Sequence, residues 1–404
     1  MTADLSLVEY GPARKYRLPD GIGRTLSALK ILEEAAPDAH EPGMWRLRAG
    51  NKVGVVSLTA PGCDPVTIRI TPKVPVGRLL FLLGYSTDPH GWREDTVDLG
   101  EHTELLPALA HAVERRTGQA LSQGLLQGYR TTEETAFVLR GRVRVADQIK
   151  RRFGTPLPVE VAYDDFTTDI AENRILRGAV ECLLRLPRVP LKVRKRLMRR
   201  RAQLADVTPL VRGQALPPWQ PTRLNLRYHR SLHLAELVLS GASVEHLPGG
   251  VGTNGFIFDM NRVYEDFVCG ALREALRPHG GRISLQARDI HLDERDAVQL
   301  KPDFVWYHDS GVPLAVADAK YKNGMRHGYP NEDLYQMLAY CTAFGLTEGH
   351  LVYARGSATP TSHRVRHSGI LLHQHALELD QEPASLLNEM EKLAGRMLAG
   401  GKRR

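Results

Sequence analysis

Cysteine is scarce, with four in 404 residues at positions 63, 182, 269 and 341, and no two of them form a CxxC pair. That scatter excludes a disulfide framework and a zinc cluster, and it predicts small thiols buried in a core. Long apolar runs are missing as well. No stretch reaches the roughly 18 to 20 residues that a membrane span needs. The opening MTADLSLVEYGPARKYRLPDG does not have the basic-then-apolar order of a secretion signal. The expected location is therefore the cytoplasm, with no membrane partner. Neither a G-x-S-x-G elbow nor a GxxxxGK[ST] phosphate loop occurs anywhere in the chain. Without such a loop the chain is expected to bind no nucleotide, and any energy-dependent step has to come from a partner.

What is present is ordinary for a globular protein: 42% hydrophobic and 25% charged residues, with no low-complexity tract. The length exceeds the usual size of one hydrophobic core and calls for more than one domain. Net charge is +8 and the isoelectric point about 9.3. Such an excess favours a polyanionic partner through counterion release, but it has to be located before it means anything.

Along the chain the expected class is α/β (α+β). A β-rich domain is expected over 1–155, a helical connecting region over 156–250 and a mixed α/β domain over 251–404. WRLRAGNKVGVVSL and VTIRITPKV read as strands, GRLLFLLGY as a short buried helix, and residues 101–127 as a helical stretch. FVLRGRVRVADQIKRRFG reads as a strand followed by a basic segment, and TPLPVEVAYDDFTTD as a connection. The densest charge is LKVRKRLMRRRAQ, which starts directly after Pro190. Arg194, Lys195, Arg199 and Arg200 there read equally as a phosphate-contacting surface and as a solvated helix face.

In the third part, Asp259 is placed to cap a helix whose apolar positions Val263, Tyr264, Phe267, Val268, Ala271, Leu272 and Leu276 form one face. Pro278 and the Gly280-Gly281 pair close it. Three extended segments, a second helix (EDLYQMLAYCTAF) and a further apolar run (HLVYA) follow. KPDFVWYHDSGVPLAVADAK predicts a hairpin around Asp309-Ser310-Gly311-Val312. Pairing His308 with Pro313 continues the ladder until Asp303 stands opposite Asp318.

Carboxylates directly opposite in an antiparallel pair repel unless one takes a proton or a cation sits between them. Mg²⁺ prefers such oxygens, with Mn²⁺ as a substitute. Lys320, one pleat beyond Asp318, falls on the same face. A divalent cation beside an ammonium suits phosphodiester hydrolysis, in which the cation lowers the pKa of water and the lysine orients it or stabilises the transition state. The same residues also read as an ion pair at a strand end. His308, His327 and His350 have no H-x-H or H-E-x-x-H spacing and read as loop or surface residues.

LKPDFVWYHDSGVPLAVADAK resembles the active-site core of the PD-(D/E)xK nuclease superfamily. TDIAENRILRGAVECLL, MNRVYEDFVCGALREAL, VADAKYK and DLYQMLAYCTAF narrow the resemblance to the McrC family, the endonuclease subunits of McrBC modification-dependent restriction systems. ITPKVPVGRLLFLLGY and LRGRVRVADQIKRR are similar to it as well. The resemblance implies that residues 251–404 form the nuclease core, a mixed sheet flanked by helices. It implies Asp303, Asp318 and the Ala319 carbonyl as Mg²⁺ ligands, Lys320 as the catalytic lysine and Glu265 as an additional acid.

Gln336 and Tyr340 match a motif that supports the lysine or contacts DNA, and Lys322 is a candidate phosphate contact. The implied partners are double-stranded, methylated DNA and an McrB-like AAA+ GTPase hexamer that docks on the N-terminal domain and is stimulated by it. A chain cut before about residue 155 is then expected to lose the partner and keep a folded nuclease core. An adaptor without catalysis, and a RecB-like repair nuclease without a GTPase, are the alternatives.

Overall fold

The computed structural model describes residues 3–59, 64–87, 89, 104–211, 213–241, 252–287, 290–321, 331–354 and 361–401. By packing, the chain divides into two units, Met1–Ala108 with His246–Arg404, and Leu109–Glu245. The sequence boundaries at 155 and 250 follow chain order, whereas the first unit is assembled from both ends of the chain. Among the described residues no helix is long and apolar enough to cross a membrane.

In the first unit a four-stranded sheet is formed by β1 (Ala3–Val8), β2 (Lys52–Thr59), β3 (Val66–Thr71) and β4 (Gly252–Asp259), in the order β1-β3-β2-β4. β2 lies inside the sheet, which is why its side chains are apolar almost continuously rather than alternating. β4 pairs antiparallel with β2 from Gly252 opposite Thr59 to Asp259 opposite Lys52. A chain beginning at residue 155 would lack β1, β2 and β3 and leave β4 an orphan edge. The expectation that such a truncation keeps a folded core is therefore corrected. WRLRAGNKVGVVSL does hold two extended runs, but they serve different sheets. Met44–Arg48 is the middle of a three-stranded sheet with Arg14–Arg17 and Glu34–Pro37, and the second run is β2.

Helices α1 (Val76–Thr87) and α2 (Met260–Leu276) pack on each other through Phe81, Tyr85 and Phe267, with ring centroids 5.5 to 5.8 Å apart. The expected cap holds. The Asp259 carboxylate accepts from Asn261 N at 3.0 Å and also from Asn51 Nδ2 at 2.6 Å, which ties the start of α2 to β2. All seven predicted apolar positions are buried, and Gly280 and Gly281 close the helix at φ 69° and 81°.

The second sheet of this unit contains β5 (Arg282–Leu285), β6 (Phe304–Tyr307), β7 (Pro313–Lys320), β8 (Glu348–Ala354), β9 (Thr361–Arg364) and β10 (Leu371–Leu377), in the order β5-β6-β7-β8-β10-β9. β5, β6 and β7 run antiparallel, β7, β8 and β10 run parallel, and β9 returns antiparallel at the edge. Helix α3 (Asn331–Phe344) links β7 to β8. It buries Met337, Tyr340 and Cys341 against Val305, Val316, Leu351 and Tyr353. This is the expected mixed sheet flanked by helices. α4 (Pro383–Gly401) closes the fold after β10.

In the second unit the helices Ala171–Arg185, Leu191–Gln203 and His229–Gly241 bear out the helical middle, and the helix expected within 101–127 is Leu105–Ala120, most of which belongs to this unit. Two expectations fail there. TPLPVEVAYDDFTTD is not a connection, because Val159–Thr167 is the central strand between Gly128–Ala136 and Arg142–Val143. Of FVLRGRVRV only Arg142–Val143 is a strand. Gly141 turns the chain at φ 66°, and Phe137 and Val138, 77% and 67% exposed, stand before it without joining the ladder.

Candidate active site

The hairpin turns through His308–Val312, with His308 N donating to Val312 O at 2.8 Å and Gly311 N to His308 O at 2.9 Å. It is thus one residue tighter than expected, since Pro313 stands opposite Tyr307 and not opposite His308. A bulge between Trp306 and Tyr307 takes up the difference, with Trp306 opposite Ala315 and Phe304 opposite Ala317. The ladder ends at that pair, in the register that was expected to set Asp303 opposite Asp318 one residue further on.

Asp303 stands one residue before β6, and its Oδ2 accepts from Ala319 N at 2.8 Å, so the carboxylate reaches across to the β7 backbone. Asp318 is 2% exposed. Its Oδ2 is sealed from solvent and has no regular hydrogen bond, while Lys320 Nζ lies 2.5 Å from it. Burial, with the charges of Asp318 and Glu265 added, pushes the Asp303 carboxyl up to about 8. Burial raises Asp318 too, against the pull of the ammonium. Burial works against the Lys320 ammonium, but Asp318, Asp303 and Asp333 outweigh it and hold its pKa above the ordinary lysine value. Such a carboxylate pair favours a shared proton or a shared cation.

Helix α3 fixes the lysine from the other side. Lys320 Nζ donates to Gln336 Oε1 at 2.8 Å, Gln336 Nε2 to the Tyr340 hydroxyl at 2.7 Å, and that hydroxyl to Lys301 O at 3.0 Å. Tyr340 is buried and its hydroxyl pKa rises by desolvation first and then by the charges of Asp318 and Asp303. Glu265, on α2, adds its charge to Asp303, while its Oε1 accepts from Gln286 Nε2 at 2.5 Å. Among the described residues no three His, Cys, Asp or Glu side chains form a group able to hold a metal ion. The structure therefore brings together Asp303, Asp318, Ala319, Lys320, Gln336 and Tyr340, with Glu265 at the margin. The donor set fits a hard divalent cation: two carboxylates of raised proton affinity, one buried oxygen without a regular donor, and the adjoining Ala319 peptide. Lys322, His327 and Cys63 lie outside the described residues.

Arg194, Lys195, Arg199 and Arg200 belong to the second unit. Lys195 and Arg199 are exposed. Arg200 is committed to the buried Glu114 at 3.1 Å, and its guanidinium lies so close over Gly118 that a Cβ there would come within 2.5 Å. Arg115, Arg196, Arg199 and Arg200 line a cavity of about 530 Å³ beside that pair.

One reading is overturned. His350 is not a loop or surface residue but sits in β8, 1% exposed, stacked on His373 and His375 at centroid distances of 5.0 and 5.3 Å. The signal was available in the HQH spacing at 373–375, on a strand that the hydrophobic pattern did not reveal. His308 is exposed in the hairpin turn, as expected. Asp333 was also missed, although it stands three residues before Gln336 on the same helix.

Two chains of solved complexes are similar to this one. A chain of the refined half-complex from the tetradecameric assembly of Thermococcus gammatolerans McrB AAA+ hexamers with bound McrC is 17% identical. The match covers 98% of this chain and 100% of that one at a TM-score of 0.59, which places the two in one fold. A chain of the Thermococcus gammatolerans McrBC complex is 19% identical over 68% of this chain and 88% of that one, at a TM-score of 0.39. No curated protein matches. The model of the family described as McrBC 5-methylcytosine restriction system component matches residues 47–354, most of the chain, and the protein belongs to that family.

Proposed function

We propose that the chain is the DNA endonuclease subunit of a modification-dependent restriction system, of the PD-(D/E)xK type, hydrolysing phosphodiesters of methylated double-stranded DNA with Mg²⁺. The observation that carries this reading is the convergence of Asp303, Asp318 and Lys320 at the end of β7. An adaptor without catalysis has no need to bring two carboxylates, one of them buried, together beside an ammonium.

Asp303, Asp318 and the Ala319 carbonyl would hold the cation, with Glu265 as an outlying acid. Bound there, it supplies a Lewis acid that neutralises phosphate charge and lowers the pKa of water. Lys320 directs the attacking water and meets the charge that grows on the phosphate oxygens in the transition state. The Gln336–Tyr340–Lys301 chain holds its Nζ, which limits the rotamer freedom of a flexible side chain. On helix Leu191–Gln203 the exposed Lys195 and Arg199 and the half-buried Arg194 would contact DNA phosphates, Lys322 would do so as well, and Arg200 would support them from its place on Glu114.

The reading includes a partner, an AAA+ GTPase hexamer of McrB type that recruits this chain in the cytoplasm and whose GTP hydrolysis the chain stimulates. The solved neighbour is a complex of McrC with McrB AAA+ hexamers. The segment before residue 155 is assigned to that contact, supported by the exposed Tyr129, Phe137, Val138 and Phe153. The test is a cleavage assay on methylated and unmethylated plasmid with the partner GTPase, GTP and Mg²⁺ each added or omitted. Cutting of the methylated plasmid only when all three are present is expected. Absence of cutting under every condition, or cutting that survives chelation of divalent cations, would overturn the reading.

A further inference from the structure

Asp333 has no role in the chemistry set out above, yet it is 4% exposed and lies in the first turn of α3. It stands three residues before Gln336 and seven before Tyr340, a spacing that places all three on one helix face. Its Oδ2 accepts from the Tyr353 hydroxyl at 3.0 Å. Tyr353 is in turn the residue paired with Lys320 across the β7–β8 ladder. Register partners share a face of the sheet, so Lys320, Tyr353 and Asp333 meet on the side covered by α3. The charge of Asp333 acts on both Lys320 and Asp318.

Lys320 Nζ therefore lies in the field of three carboxylates, Asp318, Asp303 and Asp333, with Asp318 at 2.5 Å and Gln336 at 2.8 Å as its close contacts. Asp303 and Asp318 are the carboxylates proposed to hold a cation, and if they were its sole anions, a cation drawn to them would repel the ammonium toward solvent. A further carboxylate outside that pair, the buried Asp333 fixed by Tyr353 in the core, removes that conflict. We infer that Asp333 is a positioning residue: anchored by Tyr353, it keeps the Lys320 ammonium on the α3 side of the site while Asp318 engages cation and substrate. The kinetic consequence rests on the nuclease reading above, whereas the placement of the lysine does not.

Asp333→Asn keeps an oxygen for the Tyr353 hydroxyl and removes the charge. On the full chain with saturating Mg²⁺, Lys320 acetylation by an amine-reactive ester, followed by mass spectrometry at fixed pH, reports whether the ammonium has left its place. The expected result is severalfold faster labelling of Lys320, with the melting temperature close to that of the wild type. In the cleavage assay kcat falls by about ten- to hundredfold with KM nearly unchanged, as for a misplaced catalytic group.

Tyr353→Phe preserves the ring packing and frees Asp333. It is expected to move both readouts in the same direction by less, and it serves if the first variant does not fold. Wild-type labelling and wild-type kcat in the folded variants would overturn the inference and leave Asp333 a mere anchor for Tyr353. Labelling needs no cleavage, so a wild type that cuts no DNA refutes the nuclease reading while the labelling rate still decides the role of Asp333.

Discussion

Asp318 and Glu9 are both buried carboxylates, 2% and 0% exposed, and the fold treats them differently. Asp318 has an ammonium beside it and belongs to the proposed site. Glu9 accepts from Lys73 N at 2.9 Å through Oε2, while its Oε1 is buried without a hydrogen bond. Burial raises the pKa of Glu9 in spite of its hydrogen bonds to Lys73 and Tyr321. A carboxyl whose folded pKa lies above its unfolded one contributes fully below the ordinary glutamate value, and that contribution is lost as pH rises through the folded value. Melting curves from pH 5 to pH 8 should therefore show the wild type losing stability relative to Glu9→Gln as pH rises. A gap between the two that does not change with pH would show that Glu9 carries no such penalty.

Elements with strong periodicity were legible in advance. The seven apolar residues of α2 and its Asp259 cap are as expected because a helix of 17 residues with one buried face leaves few alternatives. The facing of Asp303 and Asp318 was legible for a subtler reason. The turn was placed one residue wide of its true position, but the bulge at Trp306–Tyr307 absorbed the error ahead of the aspartates. No local rule announces such a bulge. β9, β10 and α4 were missed, since strands carrying Ser362, His363, His373, Gln374 and His375 do not read as apolar runs. Their polar side chains bond one another across the ladder, as Thr361 does to Gln374 at 2.7 Å, and that pairing appears only once the strands are adjacent.

The basic helix Leu191–Gln203 belongs to this scale too. Replacing Arg194, Lys195 and Arg199 together by alanine should weaken DNA binding equally on all sequences. The logarithmic salt slope should flatten by about one unit for each phosphate that the variant no longer neutralises. Binding with an unchanged slope would make the helix a solvated face.

Across the whole molecule, the unit that holds the site draws its strands from both ends of the chain. A boundary read along the sequence could not anticipate this, because β2 and β4 are neighbours in the sheet and about two hundred residues apart in the chain. The net charge of +8 favours a polyanion for the chain as a whole, but the chemistry assigned to it resides in three side chains. The measurement that tests this most directly is DNA cleavage by Asp318→Ala, assayed beside the wild type with the partner GTPase, GTP and Mg²⁺, with GTP hydrolysis followed in the same tubes. The account predicts that cleavage falls by at least about a hundredfold while stimulated GTP hydrolysis continues at the wild-type rate. Cleavage at the wild-type rate by this variant would contradict it.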